Sequence, residues 1–298
     1  MTPATMSPVT LKLGERELLV SHPDKLLWPD MGIDKLRYVR TLAELAPYLL
    51  PHSEGRYLTT IRFPEGYAGK SFYQKNAPTP VPEYVRTETE GGIRYVVLDS
   101  LPTLLWMGSL YALEFHVSCE RIGQPLPDRW ILDIDPSLEE EPRIMEAASK
   151  VGDLLHSLGL EAVPKTSGAT GIQVVMRIEP GPTYDDLRRF GKFVSEYLTA
   201  KNPQLFTVER LKKNRGSLIY LDYLQYYPGR TLAAAYTPRA RAGAPVSTPL
   251  DWAEVRADPH PTDFNLLNIL DRLRVLGDLI GQMKPQRLGD VLQQIKRT

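Results

Sequence analysis

The run Trp130-Ile131-Leu132-Asp133-Ile134-Asp135-Pro136 constrains the fold of this chain more than any other. Its alternation is that of a β-strand, in which successive side chains point to opposite faces. Leu132 and Ile134 then enter a core while Asp133 and Asp135 project together. Two carboxylates held side by side repel, and a hard divalent cation relieves that repulsion. A pair of such ions can also clamp the attacking and leaving oxygens of a phosphoryl transfer. Aspartate before proline is, however, an ordinary turn or cap signal, and Glu139-Glu140-Glu141 follows as a helix start would. Taken alone the pair is more often structural than catalytic, so the reading turns on what other segments supply.

The chain has 298 residues and no run of eighteen apolar ones, so the expectation is a soluble protein without a membrane span. It reads as a single domain over residues 1–298, with residues 1–9 as a loose tail. That tail lacks the cationic start and apolar stretch of a secretion signal, and Cys119 is the only cysteine, so neither a disulfide nor a cysteine zinc site is expected. A cytoplasmic location follows. Totals of 36 basic and 36 acidic residues argue against a protein that coats nucleic acid indiscriminately. Charge is nevertheless uneven: Arg210, Lys212, Lys213, Arg215, Arg230, Arg239 and Arg241 face only Glu209 and Asp222 between residues 208 and 241. Such a stripe is either a solvated face or a phosphate-holding one.

In order along the chain, Leu11 to Val20 reads as a hairpin, and Lys25 and Lys35 flank the turn Pro29-Asp30-Met31-Gly32. Asp34 caps a helix whose buried stripe is Leu36, Val39, Leu42 and Leu45, with Pro47 and Pro51 marking its decay. A strand from Tyr57 to Phe63 carries Arg62, and the adjacent aromatics Phe72 and Tyr73 precede Lys75. In a strand, one of those aromatics points outward and the other into the core. Ile93 to Leu98 reads as a strand and Leu101 to Ala112 as a helix. His116, in Glu114-Phe115-His116-Val117, reads by itself as a satisfied core histidine.

Beyond the aspartate pair come a helix from Arg143 to Leu158 and a strand from Glu161 to Pro164. The turn Lys165-Thr166-Ser167-Gly168-Ala169-Thr170-Gly171 then leads into a strand from Ile172 to Ile178. Such a turn either offers backbone N–H groups to an anion or simply uses glycine for positive φ. Tyr184 to Ala200 is a helix. Ser217 to Leu224 is a strand with Asp222 inside it, where an unpaired carboxylate would be costly. The Pro-rich stretch Ala244 to Pro249 reads as extended and surface-lying, and helices at about 263–281 and 287–296 follow.

Three carboxylates on two strands, a glycine turn and downstream arginines are what metal-dependent nucleotidyl transfer requires. The sequence resembles the polymerase domain of bacterial ligase D, the end-joining member of the archaeo-eukaryotic primase superfamily. The resemblance runs from about residue 12 to 285. Its ordered motifs are Pro23-Asp24-Lys25-Leu26-Leu27-Trp28-Pro29, Phe72-Tyr73-Gln74-Lys75-Asn76, Glu114-Phe115-His116, Asp133-Ile134-Asp135-Pro136, Lys165-Thr166-Ser167-Gly168, Leu221-Asp222-Tyr223-Leu224 and the stretch Arg239 to Pro249.

The resemblance implies a mixed α/β (α+β) primase-type fold, with central mixed or antiparallel sheets flanked by helices in two intimately packed lobes. It implies that Asp133, Asp135 and Asp222 bind two manganese or magnesium ions, and that Ser167, Gly168, Gln173, His116, Lys75 and Arg239 meet an incoming NTP or dNTP. Lys25 and Lys35 would take the 5′-phosphate of a DNA gap or break, with Arg62, Phe72 and Tyr73 along the DNA. Ku and a ligase domain would be partners, no membrane would be, and the protein would work at the bacterial nucleoid. Two positions depart from the family pattern. Gln173 stands where relatives usually carry histidine, and Gln225 where they often carry arginine. An amide cannot carry positive charge, which leaves a DNA-end-binding scaffold with weakened catalysis as the rival expectation.

Overall fold

The structure is a computed structural model that describes residues 6–295. The chain divides into two compact units, each assembled from three separated stretches. The first comprises the stretch ending at Val117 together with Thr231–Val246 and Asn265–Asp271; the second comprises Ser118–Arg230, Ser247–Phe264 and the stretch beginning at Arg272. Mixed helices and mainly antiparallel sheets are found, as expected. No helix among the described residues is long and apolar enough to cross a membrane.

The first unit opens with the expected hairpin, Val9–Leu13 paired to Arg16–Val20, so the tail expected over residues 1–9 gives way to a strand at Val9; residues 1–5 lie outside the described range. Asp34 caps the helix Lys35–Ser53, its side chain accepting from the Arg37 N–H at 2.7 Å. Pro47 and Pro51 do not end this helix; both lie inside it. Each proline costs about 3 kcal/mol in a helix interior. Tyr38, Val39, Leu42, Leu45 and Leu49 are all wholly buried along one face, and each large side chain returns about 1.5–3 kcal/mol, so packing outweighs the breakers. The helix Leu101–Ser109 lies against it, with Gly108 so near Leu42 that a Cβ would come within 2.5 Å of its Cδ1.

A four-stranded sheet completes this unit, in the order Thr231–Ala233, Ala112–Ser118, Leu58–Arg62, Phe72–Gln74. Phe72–Gln74 is an edge, and both Phe72 and Tyr73 are exposed, at 43% and 74%. The expected one-in, one-out alternation is not seen on this short edge strand: neither ring is buried, and Phe72 lies under the Arg62 guanidinium.

The second unit is built on a five-stranded sheet ordered Val163–Thr166, Ile172–Arg177, Arg129–Asp135, Ile219–Asp222, Phe206–Thr207. Only the last pair is parallel. Trp130 donates from Nε1 to the Leu187 carbonyl at 3.2 Å and sits 4.9 Å from the Phe190 ring, so the helix Tyr184–Lys201 covers that face. Leu132 and Ile134 share it and are wholly buried, which leaves Asp133 and Asp135 on the opposite face. Asp222 ends its strand instead of lying inside it.

Three further expectations need correcting here. The acidic run does not start a helix: Glu141 is buried and bonds Arg143 at 2.7 Å, and the helix begins at Ile144. The Pro-rich stretch is extended but not surface-lying. Ser247, Thr248 and Leu250 are wholly buried, because this segment bonds to the strand Val163–Thr166 through Thr166 N to Thr248 O and Leu250 N to Pro164 O. The long helix expected at 263–281 is broken into Ile269–Leu276 and Leu279–Gln282 by Gly277, whose φ is +67°. Gly289–Ile295 follows, and residue 296 lies outside the described range.

Candidate active site

Register fixes the carboxylates. Asp133 pairs directly with Asp222 on one neighbouring strand and with Gln173 on the other, and Gln173 in turn pairs with Lys165. Directly opposed residues in an antiparallel ladder project from the same face, so Lys165, Gln173, Asp133 and Asp222 form one cross-strand row, with Asp135 beside it. Burial pushes the Asp133 carboxyl up to about 8, aided by the charges of Asp135 and Asp222, while a hydrogen bond from Gln173 and the charge of Lys165 oppose the rise. Asp135 is raised to about 6 by burial and then by Asp222, against the pull of Arg215 and Lys212. Asp222 Oδ1 accepts from the Tyr220 hydroxyl at 3.1 Å and from the backbone N–H groups of Leu224 and Gln225 at 3.0 Å each.

Among the described residues, no three Asp, Glu, His or Cys side chains stand close enough to enclose a metal ion as they are. The donor set nonetheless fits a hard divalent cation. It consists of carboxylate oxygens on one face, where burial first and the neighbouring carboxylates second raise Asp133 and Asp135, and a cation would offset both costs of ionising them.

The glycine turn lies at the end of the same sheet. Ser167 Oγ accepts from the N–H groups of Ala169 and Gly171 at 3.1 Å each, and Ser167 N donates to Gly171 O at 2.9 Å. Two backbone N–H groups expected to face an anion are thus spent on the serine oxygen, which holds the turn closed. Gly168 has φ +69°, the left-handed conformation that favours glycine. Gly171 is required for another reason: a Cβ there would lie 2.7 Å from the Ile134 carbonyl and 3.5 Å from Asp135 Oδ1. Gln173 is 4% exposed, and its Oε1 has no hydrogen-bond partner.

The first unit carries the remaining expected residues in three groups. Lys35 is wholly buried, donates to Ser21 O at 2.8 Å and lies 4.1 Å from the centre of the Tyr111 ring. Burial, then the charges of Lys25 and Arg62, lower its pKa to about 8. Lys25 shares Tyr111, at 5.5 Å, and bonds Glu65 at 2.9 Å. Next, Arg62 donates to Leu110 O at 2.6 Å and Gln74 Oε1 at 2.9 Å and lies 5.2 Å from the Phe72 ring; exposed Lys75 follows the strand. Finally, His116 and Arg239 meet on Glu114. His116 Nε2 lies 2.8 Å from Glu114 Oε2, Arg239 Nε lies 3.0 Å from the same oxygen, and Ala240 N donates to Oε1 at 3.0 Å. His116 is therefore a largely buried histidine satisfied by a carboxylate.

Lys165, Gly171, Arg215 and Glu114 fall within stretches that the sequence marked, but the sequence assigned none of them a role at the site. A charged residue inside an apolar strand, as Glu114 is in Ala112–Ser118, was the available signal.

A family model described as LigD, primase-polymerase domain, matches residues 34–280. The chain belongs to that family. It is 35% identical over 280 residues to the bifunctional non-homologous end joining protein LigD of Bacillus subtilis, covering 92% of this chain and 46% of that protein. It is 30% identical over 260 residues to the multifunctional LigD of Pseudomonas aeruginosa, covering 85% of this chain and 31% of that one. The chain therefore spans less than half the length of these LigD relatives. Its fold matches the polymerase domain of Mycobacterium tuberculosis ligase D, solved in complex with DNA, with a TM-score of 0.82 at 27% identity, over 89% of this chain and 97% of that domain.

Proposed function

We propose that this LigD-family chain acts as one primase-polymerase domain, a metal-dependent nucleotidyltransferase that adds nucleotides, ribonucleotides by preference, at gaps and broken ends during non-homologous end joining. The observation that carries this reading is the pairing of Asp133 with Asp222 beside Asp135 on one sheet face. Bound there, two manganese or magnesium ions would lower the pKa of the primer 3′-hydroxyl and neutralise the triphosphate.

The chain's own residues do the rest. Asp133, Asp135 and Asp222 hold the cations; Gln173 donates to Asp133 and orients its carboxylate. Ser167 and Gly168 are the nucleotide-binding residues of the second unit, and His116, Lys75 and Arg239 those of the first. Lys25 receives the 5′-phosphate at the far side of a gap, with buried Lys35 adding positive charge behind it, and Arg62, Phe72 and Tyr73 lie along the DNA, the exposed rings stacking on bases. Ku and a ligase supply the remaining steps, in the cytoplasm at the nucleoid.

Primer extension on gapped, 5′-phosphorylated DNA, run with each sugar type and with manganese or magnesium, tests the proposal. Synthesis by the wild type that disappears in Asp133→Ala supports it. Tight binding of phosphorylated ends with no incorporation under any metal would favour the scaffold instead.

A further inference from the structure

We infer that Glu114 is a positioning residue that locks the His116 ring and the Arg239 guanidinium to one another and so sets the grip on the incoming nucleotide. The inference rests on the reading of His116 and Arg239 as nucleotide-binding residues. Glu114 is 4% exposed, in the strand Ala112–Ser118, and projects from the same face as His116 two residues on. Both of its oxygens are used. Oε2 bonds His116 Nε2 at 2.8 Å and forms an ion pair with Arg239, whose Nε lies 3.0 Å away without hydrogen-bond alignment, and Oε1 receives the Ala240 N–H at 3.0 Å. A carboxylate only accepts, so the His116 proton is fixed on Nε2, and the Arg239 guanidinium is held beside the ring by the charge of the same oxygen. The Ala240 bond ties the backbone beside Arg239 to the same carboxylate, and Arg239 N, donating to Pro245 O at 2.8 Å, anchors that loop from its other side. One buried side chain thus holds the imidazole and the guanidinium as a preorganised pair.

Glutamine is the informative replacement. Its shape matches, but it offers one acceptor oxygen, so its amide N–H groups must oppose either Ala240 N–H or the His116 and Arg239 donors. Glu114→Gln, Glu114→Asp, Arg239→Gln and the double variant Glu114→Gln/Arg239→Gln are compared by thermal melting, by binding of a fluorescent ATP analogue with manganese, by gapped-DNA binding and by extension kinetics. Glu114→Gln is expected to raise the nucleotide KM by about tenfold with kcat within about threefold. Gapped-DNA affinity should be unchanged, and Glu114→Asp should recover part of the loss. Because Glu114 acts through His116 and Arg239 together, the double variant should lose less nucleotide affinity than the two single losses combined. If the wild type binds the analogue and Glu114→Gln binds it equally well, the inference fails while the reading of the site stands. Additive losses in the double variant, or an equal loss of DNA affinity in Glu114→Gln, overturn it as well. If the wild type binds no nucleotide, the reading of the site falls and the inference falls with it.

Discussion

Asp222 lies directly opposite Asp133 across two antiparallel strands, so the two carboxylates sit on one face of the sheet although 88 residues separate them in sequence. Neutralising one of them relieves the other. Asp222→Asn should therefore raise the thermal midpoint of the metal-free protein while weakening Mn2+ binding and lowering incorporation by more than about 100-fold. Melting without metal, manganese titration and primer extension measure the three effects. A variant less stable without metal would show that Asp133 and Asp222 do not repel.

Asp133 at about 8 and Asp135 at about 6 both stand above the ordinary aspartate value. The folded chain consequently keeps protons that the unfolded chain has already released near pH 4. Stability from these groups is present at low pH and is lost as pH rises through 6 and then 8. A bound cation favours the ionised forms, so the rise in melting temperature on adding manganese should be larger at pH 8 than at pH 6. A rise that shrinks with pH contradicts the carboxylates as the ligands.

Lys35, lowered to about 8, is charged at pH 7 and neutral by pH 9. If its buried charge supports a 5′-phosphate held at Lys25, the preference for phosphorylated over unphosphorylated gapped DNA should decline between pH 7 and 9. Lys35→Met should reduce that preference, by a factor on the order of tenfold for one lost charge. Competition binding with the two DNAs reads it out. An unchanged preference in Lys35→Met would assign the phosphate elsewhere.

Gly171→Ala would place a methyl group 2.7 Å from the Ile134 carbonyl and 3.5 Å from Asp135 Oδ1. The turn must move away from the strand, at a cost of about 1–3 kcal/mol. Manganese affinity should fall together with stability. Retained affinity at lowered stability would separate the turn from the placement of Asp135.

Local patterns made much of the second unit legible. The two-residue period of Trp130–Asp135 placed Leu132 and Ile134 in the core and both aspartates opposite, as the structure has them. The partnership of Asp133 with Asp222 was not available from spacing, because strand register is a non-local property; it came through the resemblance to ligase D. Pro47 and Pro51 misled because a breaker's cost is local while the burial that overrides it is tertiary. The Pro-rich segment misled because prolines predict an extended backbone but not what that backbone bonds to. The turn that Lys165 and Gly171 bound was marked in the sequence, but their own parts were not, since these lie in what crosses beside them.

Each unit is stitched from three lengths of chain, so no single peptide bond can be cut to leave one of them whole. The strand Thr231–Ala233 cannot join its partner Ala112–Ser118 until the whole of 118–230 has been looped out. Such closures slow folding more than they weaken the folded state. Refolding should be slow compared with that of a helical bundle of the same stability, and half-length fragments should be poor vehicles for studying either set of residues alone.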